Sequence, residues 1–426
     1  VTTASIASQG RDTVQRAVLF LGSLMVFWIT LDPLSDLSRP PGDLSSGDLL
    51  NQVLYVALYC LTMAKLIDLG WRGARPLLHP AYLLLLAWFA VSAVLGVNPG
   101  TSVRRLVLCA MVMSIVGVLP ILPRTQRDLE LWLGTAAMIV VVLCYLAVLL
   151  VPALSVHQAD APREAGLAGD WRGIYDHKST AGPMMIVFLF IGAFLAGQGR
   201  HLFGGVLFVL SLVFLLFTGT KQPTALMPVI LLVSRLALRT RSRLLFLALC
   251  LGALALYNLM TVGSAVIPSV SDIVAKLISD PTFTNRTGIW NFAIDRFLER
   301  PLTGYGFMGF WSTDAVLQSD PLGQLAWTAE ATDSHNSYLD LALTTGFPGL
   351  CLALWVVVLM PLLDFMRARL DPTKRGLALL FFRIWLFCIF VAALETVFFL
   401  RDSAVWVSFL IAIFGLRYLA CYPVRP

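Results

Sequence analysis

Charge is scarce in this 426-residue chain: Asp, Glu, Lys and Arg make up 13% of it, against 58% hydrophobic residues. A soluble domain carries roughly twice that share of charge, so the composition excludes a soluble globule and indicates an integral membrane protein. The net charge of +6 does not point to nucleic acid, because basic loops beside membrane helices account for it. No HExxH, no Cys/His cluster and no dense Asp/Glu cage is present, so neither a metal site nor a cofactor is expected. The seven cysteines show no ligand spacing, and all but Cys421 lie in apolar runs, where they act as small hydrophobes. Internal repeats of the transporter kind are missing. The first apolar run also lacks a small-residue cleavage site and leads into more membrane sequence, so no cleavable signal peptide is expected.

What the chain does have is apolar runs of spanning length. They fall near 17–31, 49–66, 80–97, 103–121, 128–151, 181–198, 201–218, 223–238, 243–261, 336–363, 376–398 and 402–420. They predict an all-α polytopic membrane protein of about twelve transmembrane helices, the tenth long enough to tilt. With the N-terminus cytoplasmic, eighteen of the 31 Lys and Arg residues fall on the inner side and twelve on the outer, with Arg383 alone inside a helix. Both termini are then cytoplasmic. The expected organisation is helices one to nine over 1–261, a large outer loop over 262–334 and helices ten to twelve over 335–426. The loop holds an expected amphipathic helix, Ile289–Phe297, and many aromatics including Trp290, Tyr305 and Trp327, and should pack as a cap. A second outer loop, 152–180, carries Arg163 and ends in DWRGIYDHKSTAG.

Polar residues concentrate between Asn285 and Leu350, with Arg286 near one end and His335 at the other. A helix over Ser334–Thr345 would put Asn336 and Asp340 on one face. Three pieces occur in order: Arg286 and Trp290; Glu299, Pro301, Leu302, Gly304 and Gly306; then His335, Asn336, Tyr338, Leu339, Gly346 and Gly349. This ordered set resembles the signature of the O-antigen ligase and O-antigen/exopolysaccharide polymerase family, and covers about a sixth of the chain.

The resemblance implies a GT-C-like inner-membrane glycosyltransferase that works at the periplasmic face and inverts the anomeric centre. An acceptor hydroxyl would attack a sugar chain on a polyprenyl (undecaprenyl) diphosphate, and the lipid diphosphate would leave. The acceptor is another lipid-linked repeat unit in a polymerase and lipid A–core in a ligase; export-complex partners are compatible with either. Charge growing on the diphosphate calls for fixed cations, and Arg and Lys suit that role. Lys221, in TGTKQPTAL, matches the family's turn cation, although Pro223 departs from the pattern. Arg286 matches a diphosphate- or sugar-binding arginine. His335 matches the family's essential histidine, either orienting the incoming hydroxyl or taking its proton.

Further substrate contacts are expected from the same source. WRGIYDHK, with Arg172, His177 and Lys178, resembles an exopolysaccharide-polymerase motif in which Ser179 stands where Asn is usual. A basic loop on anionic headgroups explains those residues equally simply. Arg104 and Arg105 open a helix against the charge rule, for which snorkelling and lipid-diphosphate binding weigh the same. Asn336, Tyr305 and Trp290 complete the candidate binding set. Arg383 and Glu395 interrupt apolar sequence and are expected to be structural, paired with each other or with Arg401 or Asp402. Two rivals remain: a flippase for the same lipid-linked sugar, and a structural subunit of an export complex. A flippase should place its polar residues at mid-membrane, whereas here they gather at one rim.

Overall fold

The computed structural model describes residues 3–29, 33–34, 45–159, 165–240, 242–311, 313, 316, 331–340 and onward to 423. Trp327 and Arg163 lie outside those residues. The fold is all-α, and a helix lies over each of the twelve apolar runs. Among the described residues six helices are long and apolar enough to cross a membrane: Pro99–Ile121, Gln126–Leu150, Lys178–Gly197, Arg243–Val266, Ser337–Ala368 and Ala404–Cys421. Pro80–Leu95 and His201–Phe217 are apolar but shorter, so twelve crossings are not established. The protein is a multi-pass membrane protein.

The core runs through the middle of the bundle, where Ala404–Cys421 and Arg375–Val391 are buried on nearly every face. Trp28 Nε1 donates to Ser408 Oγ inside it at 3.0 Å. One end of the bundle is tied by charge. Asp12 meets Arg16, Lys65 and Arg124, and Asp364 meets Arg417 and Arg367.

The other end carries the large loop. Three helices build its described part: Val262–Val266, Pro268–Leu277 and Arg286–Glu299. Trp290, Phe292, Tyr305, Phe310 and Trp311 form an apolar cluster there that continues onto Leu339 and Leu343, so the loop is packed onto the bundle rather than tethered to it.

The tenth apolar run is not one tilted helix. Ser337–Ala353 is kinked at Gly346, where φ is 70° and ψ 177°, and passes through a wider turn at Leu354–Leu359 into Met360–Ala368. The kink lets Phe347 N–H donate to Pro301 O at 2.7 Å. A Cβ on Gly346 would strike Leu302 O, and one on Gly304 (φ 66°) would meet the Thr344 backbone at 2.5 Å. The motif glycines 304 and 346 therefore let two backbones touch, which no other residue permits at those angles.

Candidate functional site

Asn336 starts the Ser337–Ala353 helix: its Oδ1 accepts from Tyr338 N at 3.0 Å and Leu339 N at 2.9 Å. The helix thus begins three residues later than expected, and Asn336, extended at φ −153°, does not share a face with Asp340. Its Nδ2 donates to Ala393 O at 2.8 Å, while Asp340 accepts from Trp311 Nε1 at 2.7 Å and Thr396 Oγ1 at 2.5 Å. His335, immediately before the cap, has a left-handed backbone, φ 52°. Such a conformation costs about 1–3 kcal/mol and persists only where neighbours impose it. Here Asp333 Oδ1 accepts from His335 N–H at 2.8 Å, and Trp290 Nε1 donates to Ser334 O at 2.9 Å. The loop helix therefore holds the turn that aims the imidazole.

His335 Nδ1 lies 3.4 Å from Glu395 Oε2, and Arg286 donates to Glu395 Oε1 at 2.9 Å. One carboxylate so joins the two residues at the ends of the polar stretch. Arg286 also donates to Leu394 O. Glu395 is not inside a helix: Arg375–Val391 ends four residues before it. The carbonyls of the turn that follows the helix are taken from outside it, Ala392 O by Ser337 N–H at 2.8 Å, Ala393 O by Asn336 and Leu394 O by Arg286. The expectation of an Arg383–Glu395 pair is corrected accordingly, since Arg383 Nε donates to Ser234 Oγ at 3.0 Å.

A carboxylate only accepts, so neutral His335 carries its proton on Nδ1 and leaves the Nε2 lone pair open. Burial opposes charge on the imidazole, but the Glu395 hydrogen bond and nearby Asp333 outweigh it and raise the pKa above 6.5. Burial likewise opposes charge on Glu395, yet Arg286 and then His335 hold its pKa down, at about 2. The His335 side chain remains 38% exposed, open to a partner.

The remaining candidates sort into neighbouring groups at the same end. Lys221 is exposed and opens the Lys221–Arg239 helix, where it acts electrostatically on Asp280. Asp280 also accepts from Thr282 N at 3.0 Å and Thr284 N at 2.8 Å, ordering the turn that delivers Arg286. Gln222, next to Lys221, donates to Phe390 O at 3.2 Å and Tyr257 OH at 3.3 Å, so this helix abuts the one that ends at Glu395's turn. Pro223 falls in the first helical turn, where its missing N–H costs no intrahelical bond.

Lys178 pairs with Asp170 at 2.5 Å, and His177 caps the Lys178–Gly197 helix by accepting from Ser179 N at 3.1 Å. Arg172 is buried and donates to Asp176 O at 2.7 Å. This group packs by the Thr218–Lys221 turn, where Trp171 N–H donates to Phe217 O at 2.9 Å. Arg105 donates to Met308 O, whereas Arg104 is exposed on the same helix. Trp290 is fully buried, and Tyr305, also buried, donates to Glu299 Oε2 at 2.7 Å.

Two spaces flank the Ser337 helix. An apolar groove of about 770 Å³ runs along one face, lined by Leu254, Ala255, Ile294, Leu339 and Trp355, with Asn258 and Asn336 among its polar groups. A cavity of about 230 Å³ with a mixed lining lies on the other, bounded by Asp333, Ser337, Asp340 and Thr344 and by apolar residues such as Phe307 and Phe398. The sequence reading missed the binding role open to Glu395. Its one local signal was a Glu–Thr pair breaking an apolar run shortly before Arg401.

A family model described as O-antigen ligase matches residues 206–355. The match takes in Lys221, Arg286 and His335 but stops before Glu395. No curated protein matches the chain.

Proposed function

From the O-antigen ligase family domain that this chain carries over residues 206–355, we propose a lipid-linked glycan transfer whose chemistry centres on His335. The donor is an oligosaccharide on a polyprenyl diphosphate, and the acceptor hydroxyl attacks its anomeric carbon with inversion. The site faces the periplasm, with both termini in the cytoplasm of a bacterial inner membrane. His335 Nε2 takes the proton of the attacking hydroxyl while Glu395 keeps the ring oriented and shares the positive charge it gains. Arg286 and Lys221 face the departing diphosphate as fixed cations. The apolar groove beside Asn336 gives the polyprenyl tail a seat open to the bilayer.

The observation carrying this reading is the shared carboxylate: Glu395 accepts from Arg286 at 2.9 Å and sits 3.4 Å from His335 Nδ1, so base and cation are spaced by one group. WRGIYDHK favours chain polymerisation of O-antigen or exopolysaccharide units over ligation to lipid A–core. The deciding experiment incubates purified protein with a synthetic polyprenyl-diphosphate repeat unit, with and without lipid A–core. Gel laddering identifies a polymerase and a single transfer onto core a ligase. No transfer in detergent, where no gradient exists, sinks the enzyme reading and leaves the flippase.

A further inference from the structure

We propose that the cavity of mixed lining on the far face of the Ser337 helix is the acceptor subsite, and that it takes one hydroxyl-bearing sugar ring. This assignment rests on the transfer reaction proposed above. The helix is the dividing wall: Tyr338, Leu339 and Ala342 line the apolar groove, whereas Ser337, Asp340, Leu341 and Thr344 line the cavity. Spacings of three and four put each set on one helical face. His335 stands at the tip of that wall, and Asp333, which accepts its N–H at 2.8 Å, is itself part of the cavity lining. The imidazole and the cavity therefore share the turn that Asp333 holds.

The lining chemistry selects the occupant. Three carboxylates, Asp333, Asp340 and Asp402, and two guanidinium groups, Arg105 and Arg401, line it together with the apolar Trp311, Phe307, Phe398 and Leu400. A polyprenyl chain would offer Arg401 and Asp402 no hydrogen-bonding group, and a diphosphate would meet more negative than positive groups. A sugar ring offers hydroxyls that both donate to carboxylates and accept from guanidinium groups, and an apolar C–H face for an aromatic plane. Asp340 is already set in place by Trp311 Nε1 at 2.7 Å, Thr396 Oγ1 at 2.5 Å and Ser334 N–H at 3.2 Å. At about 230 Å³ the cavity has room for a single sugar ring.

The test separates donor from acceptor kinetics in full-length protein. The donor is the synthetic polyprenyl-diphosphate repeat unit; the acceptors are an octyl glycoside of the same repeat, which has no leaving diphosphate, and lipid A–core. Asp402→Asn removes one charged partner and Leu400→Trp fills the cavity from its lining. Each should raise the KM of the used acceptor about tenfold or more, with donor KM and retention of labelled polyprenyl diphosphate unchanged. Intact donor retention also shows that the variants are folded. Wild-type acceptor KM in both variants, or donor and acceptor KM rising together, overturns the subsite. Failure of wild-type protein to use either acceptor defeats the transfer reading itself.

Discussion

Glu395 and Asp12 are two carboxylates of nearly equal exposure, 24% and 23%, each held between cations at opposite ends of the bundle. Asp12 is gripped by two guanidinium groups and an ammonium, those of Arg16, Arg124 and Lys65. Glu395 has one permanent cation, Arg286, and one partner that titrates, His335. Replacing a fixed charge by an imidazole turns a clamp into a device that can take up a proton. Position matters as well: the Asp12 cluster ties helix ends together, while His335 directly precedes Asn336 and Ser337, which line the groove and the cavity.

Removing the imidazole breaks the contrast most severely. His335→Ala should leave the protein inserted and abolish polymer growth on gels, a loss of about 10²–10⁴-fold; wild-type laddering would remove the base from the scheme. Arg286→Gln should come next, lowering kcat about 10²–10³-fold by stripping the diphosphate of a fixed cation. Arg286→Lys should rescue only part of that, because an ammonium cannot span Glu395 and Leu394 O in the manner of a guanidinium.

Glu395→Gln sharpens the comparison through pH. The raised His335 pKa means that the base is protonated, and idle, until pH climbs past it; activity should rise through that value. Without the carboxylate the pKa falls, so the acidic limb should move to lower pH as kcat drops about tenfold. An unmoved limb would show that Glu395 does not govern the imidazole. Asp12→Asn should have the smallest effect, a stability loss of about 1 kcal/mol or less in thermal unfolding, with an unaltered pH profile.

Much of this was readable from residue order. Every apolar run carries a helix, and Arg286 and His335, singled out by the motif, meet at one carboxylate. Glu395 was not readable as a partner because it lies 60 residues from His335 and 109 from Arg286, in a run whose hydropathy continues past the true helix end. Hydropathy registers apolar side chains, whereas the turn after that helix is fixed by Ser337, Asn336 and Arg286, which bind the carbonyls of Ala392, Ala393 and Leu394. Gly346 was visible as a motif letter, yet its kink needs the crossing backbone at Pro301–Leu302 to explain it.

Residue order alone determined that this chain lives in a membrane, where its helices fall and which stretch is polar, because burial preference and helical period act over a few neighbours. Tertiary structure decided which charges meet, which face of the Ser337 helix is greasy and which is polar, and where helices end. Those outcomes depend on groups far apart in sequence arriving within hydrogen-bond distance, and no local pattern encodes that.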